Sequence, residues 1–278
     1  MNGDRDLLVR ARAALLDALE ALAEHRESVV VIGAQAIYLH TGEMVVALPA
    51  TTKDSDLALD PRTLGSLPLV EEAMRAAGFE LRADKPQPGT WLSRDGIPVD
   101  LMVPEALAGE RGHRGARVPP HSKMAMRRAT GLEAAVVDRG ELWISSLEAT
   151  DRRASKAWVA SPAALMVSKL HKIAERETEP GRLVDKDAHD LYRLLAAVDL
   201  ADLVAAFRRL NADPMAGEVT RSSLSALRRL FAIGPTAPGS MMAGRAEAGI
   251  GAPEVVSASV AALASDLLRA VDTDGAFR

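Results

Sequence analysis

The hydrophobic pattern of this chain changes character once, near residue 160, and that change limits the fold more than any other property of the sequence. Before it, short β-type runs alternate with helical ones. An amphipathic opening helix is expected over 4–24, with Leu7, Leu8, Ala11, Leu15, Leu19 and Leu22 at helical spacing. "VVVI", Val29–Ile32, reads as a buried strand turning at Gly33 into a helix that ends near Gly42. A second strand carries "DSDLALD", and "LGSLPLVEEAMRAAGFEL" supplies a helix and a strand near Phe79–Leu81. "GTWLSRDGIPVDLMVP" reads as a hairpin turning at Asp95-Gly96, and "AAVVDRGELWISS" as another turning at Arg139-Gly140. Residues 105–131, between them, read as irregular.

From Ser161 onward the period is helical. "SPAALMVSKLHKIAERE", "DKDAHDLYRLLAAV", "LADLVAAFRRL" and "RSSLSALRRLFAI" repeat apolar residues at helical spacing, with Ser or Asp near their starts as N-caps. "GPTAPGSMMAGRAEAGIGAP" reads as loop, and a last helix is expected around 256–271. The pattern predicts an α/β (α+β) domain over 1–155, its sheet flanked by helices, and a helical bundle over 156–278.

Composition narrows the chemistry. With 278 residues, 48% hydrophobic, the chain is long enough for one elaborate domain or two. It has no cysteine, so disulfides, zinc–thiolate sites and thiol catalysis are excluded. A net charge of −4, from 34 Lys+Arg against 38 Asp+Glu, means that any polyanion site is local. Such a local excess occurs in 104–128, with six Lys/Arg against two Glu, a stretch suited to RNA phosphates or equally to a solvated loop. No run approaches the ~20 apolar residues of a spanning helix and the N-terminus is no signal peptide, so a cytoplasmic protein without membrane contact is expected. The histidines at 25, 40, 113, 121, 171 and 189 show no paired metal spacing and read as structural or surface groups.

Two aspartates stand one residue apart in the second strand. Side chains alternate along a strand, so Thr52, Asp54, Asp56 and Ala58 share one face and Leu57 and Leu59 the other. In "IPVDLMV", Asp100 points away from the apolar face formed by Ile97, Val99, Leu101 and Val103. Carboxylates brought close in a partly dry site push one another toward protonation unless a cation offsets them. Mg2+ (or Mn2+) would do so, and hard cations of this kind assist phosphate displacement. The plainer alternative is that Asp54 caps a turn, Asp56 faces water and Asp100 pairs with an arginine. Upstream, the glycine-started helix offers backbone N–H groups to a phosphate, with Gly33 permitting close approach.

In the helical half, Lys169, Lys172 and Arg176 lie at i, i+3 and i+7, within roughly 60° on a helix. Asp187 and Asp190 stand one turn apart on the next helix, so an acidic spot can orient a basic one; a solvated face or a structural ion pair is the alternative.

The order of a strand, a glycine-started helix, Asp-x-Asp on the next strand and a later third aspartate resembles the DNA polymerase β-like nucleotidyltransferases. "KLHKIAER" at 169–176, followed by "KDAHDL" at 186–191, is similar to the "K-L-x-A-L-x-x-R … R-D-x-x-D-L" signature of the AbiEii and MenT-like nucleotidyltransferase toxins. The resemblance spans about 28–196. It implies a nucleotidyltransferase-fold mixed sheet joined to a helical bundle, with NTP and Mg2+ held between them. It implies an NTP substrate, an RNA acceptor such as a tRNA 3′ end, and a cognate antitoxin. It places metal ligands at Asp54, Asp56 and Asp100, catalytic residues at Asp54, Asp56, Lys169 and Asp187, and nucleotide contacts at Gly33, Thr52, Lys53, Lys169, Lys172 and Arg176. Two positions depart from the family pattern. The helix begins Gly33-Ala34 without the usual Gly-Ser or Gly-Gly, leaving Thr51, Thr52 or Ser55 as the hydroxyls available to phosphate. Those three are also candidate phosphorylation points. The signature arginine is Lys186, which keeps charge but loses the planar fork. A small-molecule or protein acceptor, and a non-catalytic binding protein on the same fold, are the rival readings.

Overall fold

Four consecutive β-branched residues, all buried, can only be accommodated deep in a sheet, and Val29–Ile32 lies between two partner strands. A computed structural model describes residues 2–42, 54–82, 87–110 and 112–273. The chain divides into two compact units: Met1–Ala36 with Thr51–Ala160, and Ile37–Ala50 with Ser161–Arg278.

The first unit contains α1 (Asn2–Ala21), β1 (Val29–Ile32), the start of α2 (Gly33–Thr41), β2 (Ser55–Leu59), α3 (Val70–Ala76), β3 (Glu80–Leu81), β4 (Thr90–Leu92), β5 (Pro98–Pro104), β6 (Arg127–Ala129), α4 (Glu133–Val137), β7 (Arg139–Ser145) and β8 (Ala154–Ala160). Among the described residues these strands form one mixed sheet in the order β3-β4-β5-β2-β1-β8-β7, with β6 also paired to β5. β1 runs antiparallel to β2 and parallel to β8, and β2 runs parallel to β5. Leu57, Leu59, Leu101, Val103 and Trp91 are buried, as are α1 residues such as Leu15 and Leu19, giving the sheet its core.

The hairpin of β4 and β5 forms as its Asp95-Gly96 turn predicts, with Gly96 at φ +72. The second expected hairpin does not form. "AAVV" lies in α4, and β7 begins at Arg139 and pairs with β8, a strand the sequence pattern misses. Leu132, Ala134, Ala135 and Val136 are all buried, and a short run that is apolar all round carries no period by which helix and strand differ. The segment 105–131 also holds more than loop: Arg127–Ala129 adds β6 to the sheet.

The second unit contains α5 (Pro162–Glu175), α6 (Asp185–Ala197), α7 (Leu200–Ala212), α8 (Gly217–Leu227) running on into a π-helical turn at Arg228–Ala232, α9 (Pro238–Arg245) and α10 (Pro253–Thr273). Ser161 caps α5 by accepting from the Ala164 amide at 3.2 Å, with Pro162 in the first helical position. Asp199 caps α7 through the Ala201 amide at 2.8 Å. The stretch expected to be loop contains α9. A Cβ on Gly239 would sit 2.5 Å from the Phe231 ring, so glycine here serves close helix packing and not a flexible linker. No helix among the described residues is long and apolar enough to cross a membrane.

Candidate functional site

Asp56 is the second residue of β2. In the sheet it lies opposite Ile32 of β1 on one side and Asp100 of β5 on the other. Because Gly33 directly follows Ile32, its backbone meets the Asp56 carboxylate. A Cβ at Gly33 would fall 2.0 Å from Asp56 Oδ2, and the residue holds φ +67, a left-handed conformation that glycine alone takes cheaply. The glycine that begins α2 and the second aspartate of the motif are therefore one local structure. Asp54 immediately precedes β2 and is exposed.

Asp100 shares the register of Asp56 but is already engaged. The Thr90 hydroxyl donates to its Oδ1 at 2.7 Å, and the Arg127 guanidinium donates to its Oδ2. The arginine pairing weighed in the sequence reading is thus present at Asp100. Among the described residues no group of three or more His, Cys, Asp or Glu is gathered tightly enough to hold a metal ion. The donor set still fits a hard divalent cation, since Mg2+ is usually held by one or two carboxylates with phosphate oxygens and water completing its shell. Asp54 and Asp56 supply such oxygens; Asp100 is held by Arg127 and Thr90.

Ser55 lies between the two aspartates in sequence and on the opposite face of β2. It is fully buried, and its hydroxyl donates to the Ala11 carbonyl of α1 at 2.8 Å. It therefore cannot replace the missing helix serine toward phosphate or accept a phosphoryl group; it ties the aspartate-bearing strand to α1. Thr51, Thr52 and Lys53 lie outside the described residues. In the basic stretch, Arg117 pairs with Glu110, Arg127 with Asp100 and Arg128 with Glu105, so among the described residues three of its cations are spent on internal ion pairs. A cleft of about 770 Å3 in this unit, lined by Asp17, Glu20, Pro68, Glu72, Phe79 and Arg94 among others, includes none of the candidate residues.

In the helical unit, α5 and α6 bring the other candidates together. Lys169 Nζ donates to Asp187 Oδ1 and Asp190 Oδ2, each at 2.7 Å. Lys172 Nζ donates to the same Asp187 Oδ1 at 2.9 Å, and Arg176 stands 3.6 Å from Asp187 Oδ2. Lys169, Asp187 and Asp190 are buried, whereas the Lys172 side chain is 43% exposed and that of Arg176 24%. Burial alone would discharge the Lys169 ammonium, but Asp190 and Asp187 outweigh it and hold its pKa well above the usual lysine range. Burial likewise opposes ionisation of Asp187, and Lys169 and Lys172 overcome it, holding the carboxyl below its ordinary range.

This cluster extends inward. Arg193 donates to the Thr41 hydroxyl at 2.9 Å and the Gly42 carbonyl at 3.1 Å, and His189 Nε2 meets Glu247 Oε1 at 2.8 Å. Burial lowers the pKa of both Arg193 and His189. Sequence reasoning missed Arg127 and Thr90 as companions of Asp100. It placed Asp190 beside Asp187 without assigning it a share of Lys169. The only signal for Arg127 was its place in an arginine-rich run; nothing local connects it to an aspartate 27 residues earlier.

A family model described as nucleotidyltransferase matches residues 10–216, which includes every residue of both clusters except Glu247. No curated protein and no solved structure matches the chain.

Proposed function

Because the chain belongs to this nucleotidyltransferase family, we propose that it moves a nucleotidyl group from an NTP to an acceptor hydroxyl at the Asp54–Asp56 face of the sheet, as a toxin of the AbiEii and MenT-like kind. The observation that carries the site assignment is the contact of the Asp56 carboxylate with Gly33 at the start of α2, with Asp100 in register beside it. Asp54 and Asp56 would hold Mg2+ (or Mn2+), which when bound polarises the α-phosphate. Backbone N–H groups at the first turn of α2 orient phosphate oxygens toward the positive end of the helix. The acceptor oxygen bonds to the α-phosphorus as the bridge to the β-phosphate breaks, releasing pyrophosphate.

In the helical unit the phosphate-binding role falls to Lys172 and Arg176, which keep exposed surface. Lys169 acts by fixing Asp187 and Asp190. The proposed acceptor is RNA, with a tRNA 3′ end as the leading candidate, and the proposed partner an antitoxin encoded nearby. The internal pairing of Arg117, Arg127 and Arg128 favours a second reading, in which the acceptor is a small molecule or a protein.

The test is to incubate the purified protein with each α-labelled NTP, Mg2+ and total RNA. Label on RNA from wild type, lost in Asp56→Asn, is the expected result. RNA-independent labelling selects the second reading, and no transfer by wild type, or equal transfer by the variant, removes the assignment. Polarisation by a metal is worth several kcal/mol, so the loss in Asp56→Asn should be about 10^3-fold at 1.36 kcal/mol per decade.

A further inference from the structure

The face of the sheet that carries Asp56 continues, strand by strand, to an aromatic end. Residues directly opposite one another on neighbouring strands share a face. Ile32 of β1 is opposite Asp56, and two residues earlier Val30 is opposite Trp158 of β8. Trp158 is in turn opposite Glu141 of β7, Lys156 opposite Trp143, and Ala160 opposite Arg139. Arg139, Glu141, Trp143, Lys156 and Trp158 therefore stand on the face of Asp56 and Asp100, whereas Ser55, bonded to α1, marks the other face. Ala160 continues the β8 register at the level of Ile32, which puts Arg139 on the same rung of the sheet as the two aspartates. With strands about 4.8 Å apart and a rise of about 3.3 Å per residue, Trp158 lies roughly 12 Å and Trp143 roughly 20 Å from Asp56 along the sheet.

Over β1 and β2 this face is covered, with Val30 and Ala58 fully buried, and it opens at β8 and β7. Trp143 is 67% exposed. The Arg139 guanidinium lies over the Trp158 ring at 4.7 Å, and the indole N–H donates to Glu27 at 3.2 Å, so that ring is held in place. Beside Trp143, Lys156 donates to Glu141 at 2.6 Å. Two of the chain's three tryptophans and one guanidinium plane thus stand together at the open end of the aspartates' own face.

We propose that this end of the sheet is the platform on which unpaired bases of an RNA acceptor stack, Trp143 taking one base and the Arg139 guanidinium another, while the accepting hydroxyl reaches Asp56. The inference deepens the proposed function and rests on its choice of RNA as acceptor. Aromatic rings and guanidinium planes hold the π-faces of splayed bases, which a duplex keeps hidden, so the platform selects single strands. Arg139 and Lys156 are balanced by Glu27 and Glu141, so the grip comes from stacking more than from release of counter-ions. It makes no call on the basic stretch, whose Arg117, Arg127 and Arg128 are paired internally.

Fluorescence anisotropy of a labelled, unstructured RNA of mixed sequence, titrated with the full chain in the absence of NTP, tests this apart from turnover. Trp143→Ala should weaken binding about tenfold or more, and Trp143→Phe, which keeps a ring, should restore most of the loss. The same RNA annealed to its complement should compete poorly. With two cations at about 0.7 each on a single strand, the slope of log K against log salt should be no steeper than about −1.4. In the transfer assay the loss in Trp143→Ala should fall on the KM for RNA and not on kcat. Binding that is equal in Trp143→Ala, equal competition by the duplex, or no binding by wild type overturns the proposal. Self-association of wild type that is lost in Trp143→Ala, without RNA binding, overturns it too and makes the face a protein interface. The two ideas fail separately: transfer to RNA with an unchanged KM in Trp143→Ala removes the platform alone, and Trp143-dependent RNA binding without transfer removes the function and leaves the platform.

Discussion

Asp100 on the sheet and Asp187 in the helical unit are each met by cations, yet the two clusters are built in opposite ways. Asp100 has one guanidinium and one hydroxyl and retains some exposure; Asp187 is buried beneath Lys169, Lys172 and Arg176. An exposed carboxylate that loses its partner is compensated by water or another ion, whereas a buried one is left as an uncompensated charge. The sheet cluster is therefore suited to exchange its counter-ions and the helical cluster to hold them. One has the properties of a site and the other of a fixture that keeps Lys172 and Arg176 in place.

The largest effect should come from breaking the fixture. Lys169→Met leaves Asp190 buried without the ammonium it accepts from, while Asp187 keeps Lys172 and Arg176, which costs about 3–5 kcal/mol for removal of one member of a buried ion cluster. The melting temperature should fall by on the order of 10 °C, at about 2–4 °C per kcal/mol. Asp100→Asn should cost about 1 kcal/mol or less, as expected of a more exposed pair. Differential scanning calorimetry of both variants decides the matter, and equal losses would erase the distinction between the two clusters.

Next in size is Gly33→Ala. The added methyl would overlap Asp56 Oδ2 and would have to tolerate φ +67, so the carboxylate must shift. A misplacement of about 1 Å at a reacting centre can cost about 10^2-fold in rate, while the backbone strain is about 1–2 kcal/mol. Nucleotide transfer should therefore fall far more than stability. A variant that transfers at the wild-type rate would show that Asp56 does not depend on the contact.

The same contrast explains what could be read from the sequence. "VVVI" followed by glycine is unambiguous, since four β-branched residues resist a helix and glycine permits the turn into the next element; both features lie within five residues. The alternation that placed Asp56 and Asp100 away from the apolar faces of their strands is equally local. Arg127 was not legible because its partner is fixed by sheet order, which places β6 beside β5 across a long connection. The role of Ser55 was misread for a related reason: between two aspartates it looks like part of a polar motif, yet strand parity turns it toward α1 and the core. The helix α9 was hidden by composition, because a glycine such as Gly239 that serves close packing against Phe231 looks the same in sequence as a glycine of a loop.

The smallest effect concerns acid, and it sets one buried imidazole of each unit against the other. His121 is buried, donating toward the Gly65 carbonyl at 3.0 Å and accepting from the Val70 amide at 3.2 Å, with His25 and Glu71 nearby. His189 is buried against Glu247, with Asp190 and Arg193 also acting on it. Burial lowers the pKa of both; a backbone carbonyl and Glu71 oppose it at His121, and the Glu247 hydrogen bond opposes it at His189. Each ring is then neutral in the folded chain, while the unfolded chain takes up a proton below about pH 6.5. The stability they contribute is present above that pH and is lost as pH falls through it and on through the lower folded values. Between about pH 7.5 and about pH 5.5 the melting temperature should therefore drop by a few degrees, and His121→Gln and His189→Gln should each flatten the dependence. His189 has a carboxylate in direct hydrogen-bond contact to share its proton and His121 has none, so His121→Gln should flatten it more. The reverse order, or melting curves of wild type that do not move with pH, would show that the carboxylate does not set the difference between the two sites.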